Sequence, residues 1–88
     1  MPYINLTQRI DLNPIVVAGM HHPSITAGEL NYTLTMLCIN YMEHNGKNYQ
    51  HINDVVGALE GAKMEFYRRY AAPYEDTKII QNGDVYNV

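Results

Sequence analysis

The sequence predicts an α+β fold, mostly helical: a short N-terminal helix, a two-helix core and a C-terminal β-hairpin, in one domain over residues 1–88. Three observations carry this expectation. A capping box opens an apolar-periodic stretch at Thr26, a second apolar stripe follows from Ile52 to Tyr70, and Asn82-Gly83 separates two short segments rich in Ile, Val and Tyr.

Residues 1–12 read as an extended lead-in. Asn13-Pro14 then offers an N-cap followed by proline at the first helical position, the favoured order for a helix start. The helix so begun covers only about 14–19, because Gly19 and then His21-His22-Pro23 stop it. The next start is better specified. In Thr26-Ala27-Gly28-Glu29 the threonine oxygen can accept a backbone N–H three residues on, while the glutamate reaches back.

Leu30, Leu34, Leu37, Cys38, Tyr41 and Met42 follow at the spacing of one helical face, and Asn45-Gly46 supplies a stop, giving a helix over 27–45. Tyr32, Met36 and Ile39 lie round its side. A helix apolar over so much of its circumference is buried on two sides, and in a chain this short a subunit interface is the natural second cover.

Asn48 caps a helix over 49–71, with Ile52, Val55, Val56, Leu59, Ala62, Phe66 and Tyr70 as its stripe and Pro73 as its end. Gly57, Ala58, Gly61 and Ala62 thin its middle. Each glycine costs about 1 kcal/mol in a helix interior, which close approach of another backbone or of a ligand would offset. Last, Asn82-Gly83 is the preferred pair of a type I′ turn, so residues 78–88 are expected as a β-hairpin behind a charged connector at 72–77.

Composition narrows the function classes. A chain of 88 residues buries only about 60–65% of its unfolded surface and is marginal by itself. Cys38 is the single cysteine and sits in an apolar stretch, as a buried inert thiol would, so no internal disulfide can help. Oligomerisation is the remaining common support. The net charge of −3 and the scatter of six basic residues disfavour duplex nucleic acid. No apolar run approaches the length of a membrane span and the N-terminus has no signal-like region, so a cytoplasmic protein is expected.

Catalytic motifs are missing: no Gly-x-Ser-x-Gly, no P-loop and no dinucleotide fingerprint. Four histidines, His21, His22, His44 and His51, lie outside any ligand motif, although His44, His51, Glu43 and Asp54 could converge at the interhelical loop. No metal, cofactor or catalytic residue is expected. Tyrosine is the unusual feature, with eight Tyr against one Phe and no Trp. A buried phenol still needs a hydrogen-bond partner, so tyrosine suits surfaces that are apolar on one side and wet on the other. Tyr67, Arg68 and Arg69, with Asn31, Tyr32, Tyr49, His51 and Asn53, could hold a planar anionic ligand such as a nucleotide, by stacking on the base and guanidinium contact to the phosphate.

At Gly28-Glu29-Leu30-Asn31-Tyr32, at residues 49–60 (Tyr-Gln-His-Ile-Asn-Asp-Val-Val-Gly-Ala-Leu-Glu), at Glu65-Phe66-Tyr67-Arg68-Arg69, at Pro73-Tyr74-Glu75-Asp76 and at Asn82-Gly83-Asp84-Val85-Tyr86, the chain resembles a family of uncharacterised proteins of about ninety residues encoded by phages and bacteria. Residues 15–27 are least like it, as if the first helix were shortened here. The resemblance implies no activity or active site. A phage setting implies stoichiometric binding by a symmetric oligomer, directed at a host protein or a host nucleotide signal. The leading expectation is therefore a homo-oligomer that sequesters a nucleotide-like ligand in an anti-defence role. A protein–protein module that inhibits or scaffolds a partner is the alternative. A small nucleotide-acting enzyme using His51 with Asp54 or Glu60 comes third.

Overall fold

A computed structural model describes residues 2–20, 22 and 25–87. His21 and Pro23, read above as part of the stop after the first helix, lie outside the described residues, as does Val88. The chain forms α1 (Leu6–Met20), α2 (Ala27–Asn45), α3 (Tyr49–Phe66), a π-helical turn (Tyr67–Ala71) and α4 (Ala72–Asn82). Among the described residues there is no strand, so the fold is all-helical and the expected α+β architecture is corrected.

The first correction concerns α1, which begins eight residues before Pro14. Its start is set by Asn5: the Gln8 N–H donates to Asn5 Oδ1 at 2.9 Å and the Asn5 N–H donates to Gln8 Oε1 at 3.1 Å. That is a reciprocal cap of the same kind as the one at Thr26. Asn13 and Pro14 are therefore interior, and Pro14 leaves the Ile10 carbonyl without its helical donor.

At Thr26 the expected capping box forms, with the Glu29 N–H on Thr26 Oγ1 (3.1 Å) and the Thr26 N–H on Glu29 Oε1 (2.8 Å). These bonds from Thr26 hold the Glu29 carboxyl below its ordinary value. A carboxyl depressed in the folded state adds stability above its unfolded value, near pH 4.5, and loses that contribution as the pH falls further. Thr26→Ala is expected to cost about 1 kcal/mol in urea unfolding. Glu29→Gln should keep the cap while flattening the acid side of the stability profile below that pH.

α2 ends at Gly46, whose φ of 103° and N–H bond to Met42 O (2.8 Å) close it. Asn48 caps α3 by accepting the His51 N–H at 2.9 Å. The two helices run antiparallel: Tyr41 donates to Asp54 Oδ2 at 3.1 Å near the turn, and Leu34 and Leu59 line the same groove farther along.

Pro73 does not end the third helix, which is the second correction. The Ala72 N–H reaches back five residues to Tyr67 O, widening the helix where the proline ring would otherwise meet the carbonyl four residues behind it. Beyond it α4 continues through Lys78-Ile79-Ile80-Gln81, the segment expected as the first hairpin strand. Gly83 is the C-cap of α4, with φ 93° and its N–H on Ile79 O at 2.8 Å, so Asn82-Gly83 stops a helix instead of turning a hairpin. A glycine at positive φ serves either purpose, and the π turn that lets the helix pass Pro73 decides between them.

From Tyr49 to Asn82 the backbone is one continuous helical run, roughly 50 Å long at 1.5 Å per residue, in a molecule whose longest extent is 49 Å. α2 covers only part of it. α1 makes no close backbone approach to the other helices; the segment before it is tied to α3 by the Tyr3 hydroxyl, which donates to Glu65 Oε1 (3.1 Å). A hollow of ≈ 580 Å³ lies between Pro14, Ile15 and Ala18 of α1 and Thr33 of α2.

Among the described residues none is buried, apolar or polar. The chain exposes 7931 Å², against about 5,300 Å² for a compact monomer of 10.1 kDa. Its radius of gyration is 17.0 Å, where a compact chain of this length would have about 12 Å. Leucines and isoleucines placed at core spacing therefore stand on open faces.

Candidate functional site

Three places concentrate the chemistry. The first is the groove between α2 and α3, an opening of ≈ 370 Å³ lined by Leu34, Leu37, Cys38, Val55, Ala58 and Leu59. Tyr41 and Asp54 close its end near the turn. Asp54 accepts from Tyr41 (3.1 Å) and from Gln50 Nε2 (2.9 Å), so both carboxylate oxygens are engaged. Partial burial, followed by the Asp54 hydrogen bond, pushes the Tyr41 phenol up. The groove thus holds one charged group, and that group is already satisfied by neighbours in the same hairpin.

His51 does not join Asp54. Its Nδ1 lies 2.8 Å from Gly46 O, a bond that requires the proton on Nδ1 and ties the interhelical turn to α3. The ring meets Tyr41 edge-on, with centroids 6.0 Å apart. Glu60 lies 3.5 Å from Lys63, and Glu43 lies 3.3 Å from Lys47, both on exposed helix surface. Among the described residues no three His, Cys, Asp or Glu side chains stand close enough to share a metal ion.

The second place is the π turn, which carries Tyr67, Arg68 and Arg69. Arg68 donates through Nη2 (2.7 Å) and Nε (3.0 Å) to Glu65 Oε1, which also takes the Tyr3 hydroxyl. The Arg68 bonds, then the Tyr3 bond, hold the Glu65 carboxyl below its ordinary range, and Glu65 in turn raises Arg68. Tyr67 donates to Glu75 Oε1 at 2.6 Å, a bond that pushes its phenol up. In a regular α-helix, residues eight apart lie about 80° out of line. The extra residue of the π turn removes that offset, so the Tyr67–Glu75 bond is a consequence of the turn. Arg69 makes no hydrogen bond or ion pair among the described residues.

The third is a row that sequence reasoning missed. Phe66 and Tyr70 stack at 4.8 Å with an interplanar angle of 18°. Lys78 Nζ lies 5.5 Å from the centre of the Tyr74 ring. Phe66, Tyr70 and Tyr74 succeed one another at intervals of four along that helical run, all exposed. The spacing is in the sequence, but ending the helix at Pro73 hid its last member.

Within one chain the eight candidate ligand residues are not brought together. His51 and Arg68 are separated along the same helical run by about 25 Å of helical rise. Tyr49 is 77% exposed beside the interhelical turn. Asn53 is exposed on α3, and Asn31 and Tyr32 lie in the first turns of α2, where Asn31 accepts the Thr35 hydroxyl at its carbonyl (2.8 Å). They fall into three local groups, Asn31 with Tyr32, Tyr49 with His51 and Asn53, and Tyr67 with Arg68 and Arg69.

Among the described residues no helix is long and apolar enough to cross a membrane. No curated protein and no solved structure matches the chain. One family model does match, over residues 1–85, and its description is "Domain of unknown function (DUF6899)". The chain belongs to that uncharacterised family, DUF6899.

Proposed function

We propose that the protein is a non-enzymatic interaction module that works as an assembly of copies of itself. One observation carries this: no described residue is buried, and the chain exposes roughly 2,600 Å² more than a compact monomer of its mass. Surface on that scale, with many leucine, isoleucine and tyrosine side chains exposed, matches an obligate interface rather than a transient one. A phage origin, which the sequence resemblance implies, suits a protein that acts by stoichiometric contact.

A second reading keeps a nucleotide-like ligand, and one observation favours it. Arg69 has its guanidinium without a partner among the described residues, and it immediately precedes Tyr70 of the stacked Phe66–Tyr70 pair. Tyr49, His51 and Asn53 lie too far away to share a ligand with it inside one chain, so such a ligand would sit between copies.

Light scattering combined with a thermal-shift panel of cyclic and ADP-ribose-type nucleotides separates the readings. The interaction module predicts a multiple of 10.1 kDa and no shift with any nucleotide. A shift lost in Arg69→Ala, with the ligand recovered intact, would favour sequestration instead. A folded species of 10.1 kDa would remove both.

A further inference from the structure

We propose that residues 2–20 form a separable arm, latched to α3 by one polar cluster, Tyr3–Glu65–Arg68, and that this arm opens as a unit while α2 and α3 stay helical. Among the described residues no Cα of α1 lies within 8 Å of a Cα in another helix. Leu6, Ile10, Ile15 and Val16 each keep more than half of their surface open. The bond from the Tyr3 hydroxyl to Glu65 Oε1 is the one hydrogen bond that joins residues 2–20 to residues 25–87 among those described. The device belongs to a single chain and does not depend on whether copies assemble.

The receiving half of the latch is built on the helix itself. Arg68 donates to Glu65 Oε1 through Nη2 (2.7 Å) and Nε (3.0 Å), bonds that hold the carboxylate in place whether or not the arm is seated. The Glu65 side chain is 21% exposed, against 57% for Glu43 and 56% for Glu60, the other two ion-paired glutamates. This carboxylate alone of the three is drawn out of open water, and it is the one Tyr3 reaches. A hydrogen bond to an ionised acceptor is stronger than a neutral one. Across a partly exposed surface it still shifts an equilibrium by only about tenfold. The latch thus sets the resting state and remains reversible.

The arm is also self-contained. Its reciprocal Asn5–Gln8 cap and the Arg9 Nε bond to Ile4 O (2.9 Å) lie wholly within it. α1 has 15 residues, a length at which a helix standing alone is marginal in water, and Pro14 removes a backbone bond from its middle. An arm that lets go therefore melts. Opening is read at its own amides, separately from those of the helices it leaves behind.

Hydrogen exchange on the full-length protein, followed helix by helix, tests this. In the native chain the amides of α1 should exchange well before those of α2 and α3. Tyr3→Phe, which removes only a hydroxyl from a half-exposed ring, should speed exchange in α1 by roughly tenfold and leave α2 and α3 unchanged. Glu65→Ala should speed α1 at least as much, and adding Tyr3→Phe to it should change nothing further, because both variants remove the same bond. The proposal falls if α1 exchanges together with α2 and α3 in the native chain. It falls equally if Tyr3→Phe speeds all three helices alike or none of them. Full additivity in the double variant overturns it too, since Tyr3 would then act away from Glu65. Where Glu65→Ala does not fold, Tyr3→Phe decides alone.

Discussion

Leu37→Asp is expected to abolish both the assembly and the helical fold, not merely to weaken them. In a lone chain the substitution would be mild. Leu37 keeps 44% of its surface there, so its burial contributes about 1 kcal/mol, and an aspartate could turn to water. Aspartate in a helix interior adds roughly 0.5 kcal/mol of propensity cost. Beneath a second copy the accounting differs. Full burial of a leucine is worth about 2–3 kcal/mol, and an unpaired carboxylate in a dry contact costs several kcal/mol more. Because no described residue is buried within the chain, separated copies have little to keep them folded. Circular dichroism and light scattering at micromolar concentration should lose their signals together. Ile80→Asp on exposed α4 should change neither by more than about 0.5 kcal/mol. A Leu37→Asp protein that stays helical and assembled would show that the groove is open to water.

Pro14→Ala should produce the largest stabilisation available from one substitution. Pro14 lies in the interior of α1, where proline removes a backbone bond and crowds the preceding turn at about 3 kcal/mol relative to alanine. Alanine also frees the unfolded chain, which returns about 0.4–1 kcal/mol. The net gain is about 2 kcal/mol, readable as a higher urea midpoint with an unchanged slope. The alternative start at Asn13-Pro14 predicts the opposite. Proline at the first helical position is well placed, so alanine there would be neutral or slightly destabilising. The sign of this one measurement decides where the first helix begins.

Much of the helical plan is legible in local chemistry. Thr26 and Glu29 announce α2, Asn48 announces α3, and Gly46 closes the turn between them, because a cap is a contact among residues three or four apart. The Asn5–Gln8 cap is written in the same alphabet and escapes notice because the better-known Asn-Pro signal lies eight residues on. Asn82-Gly83 is different in kind. A positive-φ glycine serves a hairpin and a helix end equally, and the choice depends on whether the backbone passes Pro73, which the π turn settles. No residue pattern signals that turn in advance.

The candidate site is less legible still. The tyrosine excess and the Tyr67-Arg68-Arg69 cluster are visible in the sequence. That Arg68 is committed to Glu65, Tyr67 to Glu75 and His51 to Gly46 depends on geometry between elements. The apolar periodicity of α2 and α3 identified faces that want cover. It could not say that the chain itself leaves them open.

The concentration dependence of unfolding tests that openness most directly. Thermal melts of the full-length protein, followed by circular dichroism across a thousandfold range of concentration, should show a midpoint that climbs steadily with protein. The helical signal should fade at the lowest concentrations as copies separate, since a chain with no buried residue among those described has little to hold its fold alone. A cooperative melt whose midpoint stays constant over that range, from a species of 10.1 kDa, would contradict the account.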